Sequence, residues 1–344
     1  MNLITKIKIV ILVIICFNFG LGAQKPSKPK ILIITTGGTI ASKTNAPSMA
    51  GSDLIQAVPA INDYGDIEVQ EFVNIGSSKM TPEIWLGLVK MIDSAIRKRP
   101  DLACIIITHG TDTMEEIAFF LNLTHKRSTP VILVGSMRGS DEVSADGSAN
   151  LISAVRVGIS PEATGNGVLV VLNDNISAGR DILKMHNRRV DAFTATEHGF
   201  LGFVDPEKVT FYRTPLKPHT IDSEFDVYAL DSLPAVDIVQ DFAGFDSGIL
   251  SYFLQRPGQG IVISSFAGGR MSNGLRGIYN SPLNHKPIVI SSGIKEGRIM
   301  GSNPKGTPVI IANELPANKA RILLMLALTR TKDINKIQNI FNKY

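Results

Sequence analysis

Short unbroken apolar runs punctuate this chain, at residues 31–34, 103–107, 131–134, 168–172, 261–263, 288–290 and 309–311. A strand with one wet face alternates apolar and polar side chains. Runs without alternation therefore mark strands buried on both faces, as in parallel sheets. Parallel neighbours need long crossovers, and the segments between these runs carry helical spacing. Thr81-Pro82-Glu83 reads as an N-cap, a proline at the first helical position and an acid at the positive helix end. Trp85, Leu88, Val89, Ile92 and Ile96 then share one face, and Pro100 should stop the helix. A similar helix is expected over 317–330, with Ile322, Leu323, Leu326 and Leu328 supplying much of its apolar face.

This alternation predicts an α/β fold of two domains: a larger N-terminal one with a mainly parallel sheet flanked by helices, then a smaller C-terminal α/β domain. Pro206, Pro215, Pro218 and a polar stretch over 205–231 break the pattern and read as a connection with a hairpin. The expected limits are 29–204, a connection at 205–232, and 233–344. Ahead of them, Lys6 and Lys8 precede an apolar run at 9–15, and Leu21-Gly22-Ala23 leads into Gln24. That order reads as a secretory signal over 1–23 and predicts a periplasmic or secreted protein. The run is short against the ~20 residues of a membrane span.

The chain has 2 cysteines, and only Cys104 lies beyond the expected signal, so no intrachain disulfide is expected. Cys104 sits within an apolar run and reads as a small buried hydrophobe. Net charge is +4, with Lys and Arg scattered rather than striped among aromatics, so nucleic acid is not implied. The 6 histidines are dispersed, and neither H-E-x-x-H nor a Cys/His cluster occurs, so no metal is expected. G-x-G-x-x-G and G-x-S-x-G are both lacking.

Two of the runs end in the same chemistry: Thr35-Thr36-Gly37-Gly38-Thr39 and Thr108-His109-Gly110-Thr111-Asp112. In parallel α/β sheets, ligands bind at the carboxyl ends of strands. Gly37-Gly38 allows a tight turn and a close approach, and Thr39 projects beyond it. Asp112 is expected to cap the next helix, with Glu115 completing a capping box. Backbone N–H groups there suit an anion or a developing oxyanion, with Thr111 and Gly38 both available as donors. A threonine hydroxyl attacks only when a base takes its proton, so a second threonine, a lysine and a carboxylate nearby would suit as activators. His109 is a further base candidate, with a structural hydrogen-bonded imidazole as its alternative.

These residues resemble the bacterial-type L-asparaginases, and among them the exported type II branch. Thr36-Gly37-Gly38-Thr39-Ile40-Ala41 is similar to the family's first signature, and 107–116 (ITHGTDTMEE) to its second. Asn74-Ile75-Gly76-Ser77 resembles its substrate-binding serine loop, and Gly179-Arg180-Asp181 with Lys184 its catalytic-lysine segment. Val134 to Arg138, Ser144 to Gly147, and Lys319-Ala320-Arg321 also match family stretches. The resemblance covers essentially everything after the expected signal. It implies hydrolysis of asparagine to aspartate and ammonia, often with glutamine as a weaker substrate. No cofactor is implied, and the usual assembly is a homotetramer built from dimers, with sites at subunit seams. Thr39 would be the nucleophile, and Thr111, Lys184 and Asp112 a second triad. Ser77, Ser78, Thr111 and Asp112 would bind substrate, with Asp112 on the α-ammonium and Ser77 on the α-carboxylate.

The chain departs from that pattern in places. The family's lid carries a tyrosine after the first threonine, whereas 42–49 here reads SKTNAPSM; Tyr64 is the nearest tyrosine, and Thr44 or a partner residue is left as substitute. Residues 42–50 are expected to order around an amino-acid ligand. Ser78 stands where many members have glutamine, Glu296 is the candidate for the glutamate shared between subunits, and Arg270 stands in a loop that usually bears asparagine. Three other readings compete. They are a glutaminase-asparaginase with broader amide preference, a catalytically impaired amino-acid-binding protein, and a subunit of a tRNA-dependent amidotransferase. The last is disfavoured by the export signal and the lack of a basic face.

Overall fold

The computed structural model describes residues 27–38, 53, 56–255, 257–277, 286–300 and 309–344. The expected signal over 1–23, Thr39 and the expected lid at 42–50 lie outside the described residues.

Every apolar run picked out in the sequence becomes a strand. In chain order come β1 (Lys30–Thr35), β2 (Asp66–Glu71), α1 (Pro82–Lys98), β3 (Leu102–Thr108), α2 (Met114–Thr124) and β4 (Val131–Val134). Next are α3 (Gly147–Gly158), β5 (Val168–Leu172), β6 (Asn175–Ala178), β7 (Leu183–Lys184), β8 (Phe193–Thr194), β9 (Gly202–Val204) and β10 (Val209–Phe211). The second part holds β11 (Val236–Gln240), α4 (Ser247–Gln255), β12 (Gly260–Ser265), α5 (Asn273–Arg276), β13 (Ile288–Ser292), β14 (Val309–Ile311), α6 (Ala317–Leu328) and α7 (Ile334–Lys343).

The strands form an eight-stranded sheet in the order β10-β9-β6-β5-β4-β3-β1-β2, a four-stranded sheet β11-β12-β13-β14, and a small pair β7-β8. All pairings in the four-stranded sheet are parallel. In the large sheet β2, β1, β3, β4 and β5 run parallel, while β6, β9 and β10 add antiparallel pairings, so the sheet is mixed. The reversal at β6 comes from Asn173 and Asp174, at φ +48° and +61°, the backbone a two-residue hairpin needs. The hairpin expected in the break over 205–231 begins earlier, since β9 and β10 pair across it.

Alternate residues of the buried strands feed opposite faces. Leu32, Ile34, Ile105 and Ile107 pack with α1 and α2, while Ile31, Ile33, Cys104 and Ile106 pack with α3. The first of these cores continues without a break into Val262, Val289, Ile310 and α6. Each fully buried large aliphatic side chain stabilises by roughly 1.5–3 kcal/mol. Cys104 is fully buried, and burial pushes its thiol up to about 12. Helix α1 follows the expected chemistry: Thr81 accepts from Ile84 N at 3.5 Å, and Trp85, Leu88, Val89, Ile92 and Ile96 are buried.

The expectation of a helix over 317–330 is shortened to α6, which is buried nearly all round. The chain does not end there: Asp333 caps α7 by accepting from Asn335 N and Lys336 N at 2.8 and 3.1 Å.

Candidate active site

The two threonine-ended strands are neighbours. β1 pairs with β3 in a register that sets Thr35 against Thr108, so both turns leave the sheet side by side. Thr36, fully buried, ties them together by donating from its N–H and from Oγ1 to Thr108 O at 3.2 and 2.8 Å. Gly37 and Gly38 follow at φ +89° and +92°, a region closed to side chains without strain. Space forbids a side chain as well: a Cβ on Gly38 would lie 2.4 Å from Gly110 N, and one on Gly37 2.7 Å from Ile75 N. A Cβ on Gly110 would lie 2.6 Å from Ser77 Oγ. The turns after β1 and β3 and the serine loop after β2 are thus stacked backbone on backbone. Gly38 leads directly to Thr39, the first residue past the described segment.

Lys184 reaches this point from the β7-β8 hairpin. Its Nζ donates to Thr111 Oγ1 and to Asp112 Oδ1, each at 2.9 Å. The lysine side chain is 18% exposed and the Asp112 side chain 67%, so the ion pair faces an open crevice from a partly buried base. Asp112 N donates to Ser77 Oγ at 3.2 Å, and Thr113 Oγ1 donates to Ser77 O at 2.9 Å. Ser77, Thr111, Asp112 and Lys184 therefore form one hydrogen-bonded cluster. Ser78 sits on the same single turn of 3-10 helix as Ser77 and is exposed.

The capping box expected of Asp112 and Glu115 does not form. The N-cap of α2 is Thr113, and neither carboxylate serves the helix end. Asp112 is drawn to Lys184, while buried Glu115 accepts from Lys184 N through Oε2 at 2.6 Å and from Asn318 Nδ2 through Oε1 at 2.5 Å. For Asp112 the charged ammonium of Lys184 outcompetes a neutral backbone amide, whereas both partners of Glu115 are neutral amide N–H groups from distant parts of the chain. His109 is excluded as a base: it is fully buried, Nδ1 faces Gly110 O at 2.7 Å, and desolvation pushes the imidazole down to about 4. It is a structural imidazole.

Tyr64 does not approach the cluster. It packs on the core beneath Ile31 and Ile33, beside Gly65, whose Cβ position is filled by Ile31 and Pro29 O at the start of β1. Arg270 is exposed on the loop after β12. Glu296 is exposed beside Lys295, whose Nζ donates to Lys184 O at 2.8 Å. Sequence reasoning gave Glu115 only a capping role, gave Lys295 and Asn318 none, and noted Lys319 only as part of a motif. Residues this far apart in the chain show no local signal of contact. Among the described residues no group of three or more His, Cys, Asp or Glu is placed to hold a metal ion, and no helix is long and apolar enough to cross a membrane.

Two family models match, described as asparaginase, N-terminal, over residues 30–217, and glutaminase/asparaginase C-terminal domain, over residues 235–341. The chain belongs to the asparaginase family. It is an amidohydrolase, and its relatives span its length. A protein named L-asparaginase 2 from Bacillus subtilis is 38% identical, covering 94% of this chain and 88% of its own. A probable periplasmic L-asparaginase from Haemophilus influenzae is 37% identical, covering 96% and 98%. Among solved structures, a probable cytoplasmic L-asparaginase from Campylobacter jejuni superposes with a TM-score of 0.86 at 41% identity, covering 92% of this chain and all of that one. This asparaginase-family chain thus shares its two-sheet α/β architecture with a solved relative.

Proposed function

We propose that the chain hydrolyses L-asparagine to L-aspartate and ammonia through a threonine nucleophile, Thr39. The observation that carries this reading is Lys184 Nζ held at 2.9 Å from both Thr111 Oγ1 and Asp112 Oδ1, on the turn that packs against Gly38. The substrate is a zwitterion with a neutral amide. Asp112 receives its ammonium, Ser77 and Ser78 with nearby N–H groups receive its carboxylate, and Thr39 attacks the amide carbon. Thr39 Oγ forms the new C–O bond as its proton passes to a base, and the carbonyl oxygen becomes an oxyanion held by main-chain N–H groups. The amide nitrogen takes a proton and leaves as ammonia. Water then attacks the acyl ester through the Thr111–Lys184–Asp112 relay, which releases aspartate and restores the Thr39 hydroxyl.

A glutaminase-asparaginase preference is the second reading. It is favoured by the C-terminal family description, which names both activities, and by the short side chain of exposed Ser78. Export through a cleaved signal over 1–23 and assembly as a homotetramer belong to the same proposal. So do the domain limits 29–204 and 233–344, joined at 205–232.

The test is ammonia release from L-asparagine and L-glutamine by the mature protein, Thr39→Ala and Thr111→Ala. The expected loss is about 100-fold or more in each variant, as for removal of a nucleophile or a proton-transfer partner. Asparagine binding by the parent without ammonia release would replace the enzyme by an amino-acid-binding protein.

A further inference from the structure

β7, the strand that carries Lys184, is two residues long, too short to hold the lysine in place by its own ladder. The main chain around it is held from outside. Lys184 N donates to Glu115 Oε2 at 2.6 Å, and Glu115 Oε1 accepts from Asn318 Nδ2 at 2.5 Å. Asn318 Oδ1 accepts from Lys319 N at 2.9 Å, and Lys319 Nζ donates to Arg180 O and Ile182 O at 2.5 and 2.6 Å. Three peptide groups leading into Lys184 are therefore fixed by one buried carboxylate and the first turn of α6. That helix packs on the smaller sheet as well as on α2.

Lys319 is 1% exposed and Glu115 8%. Burying a charge is expensive, and an apolar side chain would fill the same space at no such penalty. Here both hydrogen bonds of the amine and one of the two made by the carboxylate fall on one segment, Arg180 to Lys184, and the second bond of the carboxylate ties it to α6.

We infer that Glu115, Asn318 and Lys319 are positioning residues through which the C-terminal part of the chain holds Lys184 Nζ on Thr111 Oγ1. This rests on the reading of Lys184 as the proton relay. The three residues touch no reacting atom. Their effect is to keep the lysine within hydrogen-bond reach through the acylation and deacylation cycle, and it should appear in kcat rather than in KM.

The test reverses one hydrogen bond. Glu115→Gln alone sets an amide N–H against Lys184 N or Asn318 Nδ2, whichever the oxygen does not face. Asn318→Asp alone sets two carboxylates together. The double variant restores the pattern, with the introduced amide oxygen on Lys184 N and its N–H on the introduced carboxylate, and it keeps the net charge. That carboxylate would still accept from Lys319 N and would sit favourably at a helix N-terminus. In each single variant kcat for L-asparagine is expected to fall about tenfold or more, since misplacement by about 1 Å reaches 100-fold. KM should stay within about twofold. In the double variant kcat should return to within about threefold of the parent.

Thermal melting of every variant separates this from a general packing role, which would lower Tm while leaving kcat per folded molecule unchanged. Single variants that keep kcat overturn the inference, and so does a folded double variant no better than the singles. If a single variant does not fold, the double decides alone. Lys184→Met separates the two levels: retained activity would remove the relay reading itself. An inactive Lys184→Met beside fully active Glu115→Gln and Asn318→Asp would remove only the positioning role.

Discussion

Gly110 lies between the serine loop and the turn that leads to Thr39, and Gly110→Ala measures how tightly the three are stacked. The new Cβ would lie 2.6 Å from Ser77 Oγ, 2.8 Å from Ser77 Cβ and 3.2 Å from Ser77 N. Ordinary van der Waals contact begins near 3.4 Å, so Ser77 must retreat by about 0.8 Å. Rotation of the hydroxyl does not relieve the clash, because the serine Cβ and backbone are also close. A retreat of that size stretches the 3.2 Å bond from Asp112 N to Ser77 Oγ beyond hydrogen-bond range. The stability loss is the sum of a hydrogen bond of about 1 kcal/mol and overpacking of about 1–3 kcal/mol. Displacing the carboxylate-binding serine should lower kcat/KM for L-asparagine by about 10- to 100-fold, most of it in KM. Gly277→Ala is the control, since among the described residues nothing lies within 4 Å of that Cβ. Urea unfolding and steady-state ammonia release on both variants give the comparison. A Gly110→Ala protein matching Gly277→Ala in both assays would refute the claim that this backbone stacking positions the site.

Two further outcomes follow from burial. Desolvation holds His109 and His125 down to about 4 in the fold against an unfolded value near 6.5, so the unfolded chain binds more protons between those values. Stability should be complete above about pH 6.5 and fall as pH drops towards about 4, by up to about 3 kcal/mol per histidine. Urea midpoints measured across that range should decline less steeply in His125→Gln than in the parent, and equal slopes would contradict the assignment. Cys104, fully buried with its thiol pushed up to about 12, should resist a thiol reagent in the native protein and react only on unfolding, as the one thiol of a signal-free chain. Equal rates in the native and urea-unfolded states would show that the site is open.

The parts legible in the sequence were those whose cause is local. A buried parallel strand must be apolar at every position, which is why β1, β3, β4, β5, β12, β13 and β14 could each be read from a run. The edge strand β2 has no such run: Asp66 to Gln70 alternate polar and apolar, with Ile67 and Val69 half-buried, which is the pattern of a strand with one wet face and escapes a reading of unbroken runs. Helix α7 escaped notice although it is strongly two-faced, with Ile337, Ile340 and Phe341 buried on one side. Its Asp333 cap was a readable signal. Asp112 and Glu115 show the opposite case, a well-formed local motif overridden by Lys184 and Asn318 from distant parts of the chain.

By itself the sequence determined an α/β chain, two glycine-threonine turns at strand ends, and a set of residues whose types suit attack on an amide. Strand burial, turn sterics and side-chain chemistry act over a few residues and leave their mark there. The tertiary structure alone decided that β1 and β3 are neighbours in register, so that the two turns meet. It also decided that Lys184 arrives from a separate hairpin onto Thr111 and Asp112, and that α6 reaches back to hold it. These are contacts between residues tens to hundreds of positions apart. They depend on the whole packed core, and no local pattern encodes them.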